Sequence, residues 1–320
     1  MRYTSSLAFG YIIEAFVTAV TLWTIYIFTA NTVDRFRYTE NIDTGVVTVT
    51  QESITDLPGF TKAAKINCTT AEAGVPSKSG SKFAAFNTKL EGQDLQQLAY
   101  GTSSAKQITL SFYVKSNVTG TFCVSLYKPD QTDRNVSLGY TISSANTWEK
   151  KELTFPADTG GGGIDNNNGS GLEIYWVVAR QQGYAGTAST TWGNNTDSRF
   201  ANLCTATIFE NTNDHIMFTG VQLEVGDTAT SFEHRSFHDE LLRCQRYYAE
   251  AGVVLADGTP ERYHNNVSLP VEMRAIPTRT VLHVDSGSGG NMYPNWGRSG
   301  GAPTNAVSYT HLTLPTNREV

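Results

Sequence analysis

Residues 108–115 read ITLSFYVK. In an extended chain Ile108, Leu110, Phe112 and Val114 fall on one side, and Thr109, Ser111, Tyr113 and Lys115 on the other. A period of two marks a strand with one face in a core. The turn residues 117–120 follow, and residues 122–127 (FCVSLY) return as a hairpin partner. Short apolar-alternating runs recur on both sides of this hairpin. Upstream they are residues 46–50, 63–68 and 82–89. Downstream comes 148–155 (WEKKELTF), with Trp148, Leu153 and Phe155 expected in the core. Residues 172–179 (LEIYWVVA) suit a strand covered on both faces, and residues 216–225 (IMFTGVQLEV) suit a strong strand bulged at Gly220. Between them, residues 160–171 (GGGGIDNNNGSG) hold nothing that builds a core and read as loop. Residues 181–202, polar, Gly-rich and aromatic, read as a long surface loop or a pair of weak strands. Many short strands with regular turns predict an all-β chain: an antiparallel β-sandwich, or jelly roll, in which each strand hides one face and wets the other. No repeat of 20–50 residues appears, which disfavours a propeller or a solenoid.

The composition agrees. Only 17% of the 320 residues are charged, below the usual quarter, so the surface is polar through hydroxyls and amides. A net charge of -6 argues against nucleic acid as a partner, since a strand or duplex requires a basic face. The four cysteines, Cys68, Cys123, Cys204 and Cys244, form no CxxC pair and no zinc-ligand cluster, and are expected as free thiols. One helix is expected after the sandwich. Ser236 with Asp239 resembles a capping box, and Phe237, Leu241, Cys244 and Tyr248 share a face, so the helix should run over residues 237–250 and stop before Gly252. Residues 266–273 and 278–284 then read as two strands of a small C-terminal β region.

The two ends stand apart. Residues 7–30 are apolar with one charge, Glu14, and are long enough to span a bilayer. A membrane anchor and an aberrant stretch of sequence are both consistent with this, and the second is favoured, so membrane anchoring is doubtful. Residues 307–316 (VSYTHLTLPT), written back into codons, match a transposase-based sequencing adapter read in frame. Residues 307–320 are therefore expected to be a non-native tail on an assembled metagenomic fragment. This gives four segments: the N-terminal residues 1–31, the sandwich 32–235, the capped helix and small β region 236–306, and the tail 307–320.

The run 218–248 (FTGVQLEVGDTATSFEHRSFHDELLRCQRYY), together with residues 32–38, 91–117, 145–155 and 270–278, resembles bacteriophage tail-fibre proteins that carry a carbohydrate-binding-module-like jelly roll. The resemblance covers residues 32–280 in order. It implies a jelly roll ending at residues 218–225, then the helix and a C-terminal β region, and a place on a virion tail, often as a homotrimer with other fibre subunits.

No catalytic constellation stands out. HExxH, GxSxG, a P-loop and GxGxxG are all absent. His234 and His238 are four apart, but His234 precedes the helix and would not share its face. Glu173 and Glu224 are the most plausible carboxylates for a glycosidase pair, and each reads better as a solvated strand residue or a structural ion pair. The chain is therefore expected to be no enzyme. Glycan binding is the sharper expectation, because sugars require aromatic faces for their C–H surfaces and amide or carboxylate groups for their hydroxyls. The loop 181–202 offers Tyr184, Trp192, Asn194, Asn195 and Asp197 as the candidate site, against the blander role of Trp192 plugging the sandwich edge and Tyr184 capping a turn. No cofactor is expected. Calcium is the one ion the composition admits, at Asp165 and residues 166–168, although a solvated Asn-rich turn fits better. Residues 233–235 are expected to pin the sandwich to the helix by ion pairs. The partner expected is a host cell-surface polysaccharide. The alternatives are a structural spacer in a trimeric fibre, or a depolymerase subunit.

Overall fold

The computed structural model describes residues 31–33, 36–186, 189–254, 271–274, 278–283 and 307–313. The apolar segment at residues 7–30 lies outside them, as does most of the strand expected at 266–273. In chain order the elements are β1 (Asn31–Val33), β2 (Phe36–Glu40), β3 (Val46–Ser53), β4 (Lys62–Thr70), β5 (Phe83–Glu91), β6 (Ile108–Ser116), β7 (Gly120–Lys128) and β8 (Arg134–Ile142). There follow β9 (Glu149–Phe155), β10 (Ser170–Arg180), β11 (Gly193–Asn194), β12 (His215–Val225), α1 (Phe237–Gln245), β13 (Tyr248–Val254), β14 (Thr278–His283) and β15 (Val307–Thr313). The chain divides into two compact units between Phe237 and His238.

The first unit is an antiparallel jelly-roll sandwich. One sheet has seven strands in the order β1-β2-β5-β10-β7-β8-β11, and the other has five in the order β3-β4-β12-β6-β9. The chain changes sheet at most of its connections, so neighbours in a sheet are mostly distant in sequence. The alternation read at residues 108–115 holds: Ile108, Leu110, Phe112 and Val114 are all buried in the core. Thr109 and Ser111 on the opposite side are buried too, which a wet outer face does not predict. The cause is the chain after β12, which folds back over this sheet. Thr109 Oγ1 donates to Gly226 O at 2.9 Å, and Phe232 packs on Phe60 at 5.1 Å. The predicted bulge is present. Gly220 has φ 59, the β12–β6 register shifts between Thr219 and Gln222, and a Cβ there would meet the Phe60 ring at 2.8 Å.

The inner faces meet in a column of rings. Phe36 stacks on Phe86 at 4.8 Å and Phe86 on Phe218 at 5.8 Å, while Trp176 meets Phe112 edge-on at 5.9 Å. Phe36, Phe86 and Trp176 belong to the seven-stranded sheet, and Phe112 and Phe218 to the five-stranded one. The column therefore bolts the sheets together, and all five rings are fully buried. Trp148 departs from its expected place. It precedes β9 and packs on a small separate cluster of Ile54, Ala63 and Met217, its Nε1 donating to Asp56 Oδ1 at 2.9 Å. β8 lies where no strand is expected. Val136, Leu138, Tyr140 and Ile142 do alternate there, but the intervening Asn135, Ser137 and Gly139 read as turn residues.

The glycine loop after β9 is anchored by a buried ion cluster. Lys128, fully buried, donates to Gly162 O at 2.6 Å and lies 3.3 Å from Asp158, which also takes Arg134 Nε at 3.0 and 3.1 Å. Paired and hydrogen-bonded on both sides, these charges avoid the cost of an isolated buried ion.

In the second unit α1 is shorter than expected, ending at Gln245 rather than near Glu250, because Tyr248–Val254 pairs as a strand. Gly252 and the β-branched Val253 and Val254 are weak helix formers, and pairing with β15 gives their backbone groups partners. The expected apolar face is also corrected: Phe237 is exposed and Glu240 is buried. The small sheet has the order β13-β15-β14. Its middle strand, Val307–Thr313, falls in the adapter-like tail, whose β-prone residues pair regardless of their origin.

Phe86→Ala should cost about 3–5 kcal/mol in urea unfolding, the cost of a large buried aromatic, whereas Thr48→Ala on exposed β3 should stay within about 0.5 kcal/mol. Equal effects would contradict the ring column as the main inter-sheet contact.

Candidate functional site

The loop 181–202 does not display its aromatic rings. Tyr184 is 7% exposed, its ring edge-on to Phe83 at 5.5 Å and near Phe200 at 6.0 Å. Burial, with the Asp197 charge nearby, pushes its phenol up to about 12. Trp192 is half-buried elsewhere, edge-on to Tyr100 at 5.6 Å, with its Nε1 donating to Pro156 O at 2.7 Å. It plugs the sandwich. Asn194, Asn195 and Asp197 are exposed. Asn195 Oδ1 accepts from Asn135 Nδ2 at 2.6 Å. The five residues thus split into two inward rings packed against different neighbours and three surface polar groups.

The loop matters in another way: it roofs part of the outer face of the seven-stranded sheet. Ala201 N donates to Ser125 Oγ at 3.1 Å, and Ser137 Oγ donates to Arg199 O at 3.0 Å. The Phe200 ring sits 5.1 Å from both Tyr175 and Phe83. Beside this roof the strand register lines up two rows of outward side chains. One row crosses the sheet as Arg37, Asn87, Tyr175, Ser125 and Ser137. The adjacent row is Lys89, Glu173, Tyr127 and Asn135. Residues opposite one another in a sheet have Cβ atoms about 5 Å apart, so each row is one contiguous strip.

Glu173 is the hub of the strip. Its carboxylate takes Lys89 Nζ at 2.6 Å, Ser170 Oγ at 3.0 Å and the Tyr175 hydroxyl. Burial and the Glu173 charge push the Tyr175 phenol well above its usual range, so near neutral pH it stays a donor. Asn87 Nδ2 donates to Thr39 Oγ1 at 2.8 Å. Around the hub Tyr127, Tyr175, Lys89 and Arg37 are partly exposed. Arg37 differs from the rest, because its Nε is buried and has no hydrogen-bond partner. Burial holds its guanidinium below the ordinary range, with Glu173 and Tyr175 drawing it part of the way back. The strip presents two phenol rings and two cations at its surface, held from beneath by the buried amide of Asn87 and carboxylate of Glu173, and aromatic faces beside polar groups on a rigid sheet are what a polyhydroxylated ligand requires.

The sequence singles out Glu173 only as a carboxylate for a glycosidase pair, and leaves Tyr175 as one residue of a strand. Arg37, Asn87, Lys89 and Tyr127 escape it altogether, because only the cross-strand register joins residues from four strands. Glu173 does form the ion pair weighed for it. Glu224 lies on the other sheet and is structural: it accepts from Thr230 N at 3.0 Å and Thr230 Oγ1 at 2.6 Å, tying down the chain after β12. Residues 233–235 act partly through packing. The His234 ring lies 5.5 Å from Phe60 and 4.9 Å from Phe232, and Glu233 N donates to Gln222 Oε1 at 2.8 Å.

Among the described residues no group of three or more His, Cys, Asp and Glu is placed to hold a metal ion. In the loop weighed for calcium, Asn167 Oδ1 accepts from Gly169 N at 2.6 Å, and Asp165 N donates to Asp130 Oδ2 at 3.0 Å. Among the described residues no helix is long and apolar enough to cross a membrane.

No family model matches the chain, and no curated protein does. Solved structures with some likeness include the enzymatically active domain of tailspike protein 4 of bacteriophage CBA120. Its TM-score is 0.35 at 14% identity, over 60% of this chain and 19% of that one. The chain thus spans about a fifth of that tailspike. The family 11 carbohydrate-binding module of the Clostridium thermocellum cellulase Lic26A-Cel5E gives 0.35 at 11% identity, over 73% and 100%. The tripod of the bacteriophage Tuc2009 baseplate gives 0.26 at 10%, over 86% and 100%. At such scores none of these carries an argument about what this chain binds.

Burial alone would raise the Glu224 carboxyl, but Gln222 and the two donors of Thr230 hold it below its usual 4.5. A depressed carboxyl stabilises the fold fully above its unfolded value, and that contribution is lost as pH falls through the folded one. Urea midpoints measured between pH 7 and pH 3 should therefore fall below about pH 4.5, and fall less steeply in Glu224→Gln. Parallel curves would show that Glu224 has no part in the acid sensitivity.

Proposed function

We propose that this chain is a component of a phage tail fibre whose sandwich binds glycans on the host surface and releases them chemically unchanged. The observation that carries the reading is the strip Arg37, Asn87, Tyr175 with Lys89, Glu173, Tyr127 on the outer face of the seven-stranded sheet. Its part-exposed phenol rings suit the C–H faces of a sugar, and Lys89 and Arg37 beside them suit its oxygens, while the buried Asn87 and Glu173 hold these side chains in place. The tail-fibre assignment rests on the sequence resemblance over residues 218–248. Binding without chemistry accords with a Glu173 carboxylate already holding three donors, which orients side chains rather than delivering a proton.

The strip and the loop make opposite predictions on a glycan array. Tyr127→Ala removes a ring at the strip and should weaken binding at least fivefold, the loss of about 1 kcal/mol. Trp192→Ala removes a ring at the sandwich edge and should leave affinity within twofold once folding is checked by circular dichroism. The reverse order would move the site to the loop. Failure of the wild type to bind any glycan would overturn the reading in favour of a structural spacer. Release of reducing ends from a bound polysaccharide would contradict binding without chemistry.

A further inference from the structure

Among the described residues the other charged side chains of the strip are paired, and Arg37 is not. Lys89 and Glu173 neutralise one another at 2.6 Å. Glu91, four residues along β5 from Asn87, accepts from Gln93 Nε2 at 2.8 Å. At about 3.3 Å per residue it lies some 13 Å from the Arg37 position, beyond the reach of a screened charge at about 8–10 Å. Arg37 stands opposite Asn87 on β2 and feels Glu173 and Tyr175 electrostatically, yet it forms an ion pair with neither, and its buried Nε has no acceptor. A guanidinium is charged at any pH the protein meets and presents a planar fork of donors. The Nε itself is closed to solvent and out of a ligand's reach, but the side chain as a whole is only part-buried, so an incoming anion can pair with what remains exposed of the guanidinium. Carboxylate is the group whose two oxygens fit the fork. Lys89, diagonal to Arg37 across the β2–β5 pair, adds positive potential on the same side.

We infer that Arg37 is an acid-recognising subsite, and that the strip takes a polysaccharide whose sugars carry carboxylates, a polyuronate, in preference to a neutral one. This rests on the glycan-binding reading of the same face. The ring contacts at Tyr127 and Tyr175 serve either kind of sugar. Arg37 decides between them, because a carboxylate brings a charge and two oxygens to its guanidinium and a neutral sugar brings neither. The selectivity is therefore a property of one side chain laid on a more general binding surface.

The test compares polymers that differ only in charge. Polygalacturonate, alginate and hyaluronan, each beside its carboxyl-reduced neutral form, are run against the full chain in affinity electrophoresis. The wild type should bind at least one polyuronate about tenfold or more tightly than its reduced counterpart. Arg37→Gln should erase that ratio, and Arg37→Lys should restore only part of it, because an ammonium lacks the fork. Since the Arg37 side chain forms no ion pair among the described residues and its Nε has no partner, both variants should melt no lower than the wild type. Equal affinity of the wild type for each charged and reduced pair overturns the inference and leaves the glycan reading standing. So does a ratio unchanged in Arg37→Gln. An equal loss of dextran sulfate binding in Arg37→Gln reduces the effect to general charge and also overturns it. No binding to any polymer, charged or neutral, overturns the glycan reading itself.

Discussion

The structure depends on a column of aromatic rings pressed between two antiparallel sheets. Phe36, Phe86 and Trp176 on one sheet meet Phe112 and Phe218 on the other, all without access to water. Because side chains alternate along a strand, placing Phe86 and Trp176 inward forces Asn87 and Tyr175 outward on the same strands. The polar strip is therefore the reverse side of the core. A slip of one residue in the β5–β10 register would bury the strip and expose the rings, so the energy that fixes the core also fixes the geometry of the outer face.

What covers that face decides what it does. On the five-stranded sheet the chain after β12 returns over Thr109 and Ser111, held by Glu224 and Gln222, and closes much of that side. On the seven-stranded sheet the loop 181–202 covers the part over β7 and β8 and reaches Phe83 of β5 and Tyr175 of β10, where Phe200 stands as a wall. The strip over β2, β5 and β10 retains its cations and phenols within reach of solvent. Partial roofing of a rigid sheet leaves pre-positioned groups beside an apolar wall, which limits the ordering cost of binding.

The sandwich was legible from the period of two. Residues 108–115, 172–179 and 216–225 each became strands within a residue or two, and the bulge at Gly220 followed from its lack of a side chain. The helix was legible at its start and not at its end, since pairing of Tyr248–Val254 with a distant strand is invisible locally. The site was the least legible part. Exposed-looking aromatics in a polar loop marked Tyr184 and Trp192, but rings in a loop that folds onto a sheet turn inward to bury their area. Arg37, Asn87, Lys89, Glu173 and Tyr127 come together only through register between strands up to 138 residues apart at Arg37 and Tyr175. No spacing rule along one chain encodes that. Arg37 illustrates the limit well: in sequence it is a basic residue between Phe36 and Tyr38, and only the register opposite Asn87 places it on the strip.

The most direct test is a crystal structure of the chain with a bound oligosaccharide. The sugar should lie across β10 and β5 on the outer face of the seven-stranded sheet, in contact with Tyr127, Lys89 and Arg37. A sugar seated instead against Asn194, Asn195 and Asp197, or on the five-stranded sheet, would contradict the link drawn between the core register and the binding face.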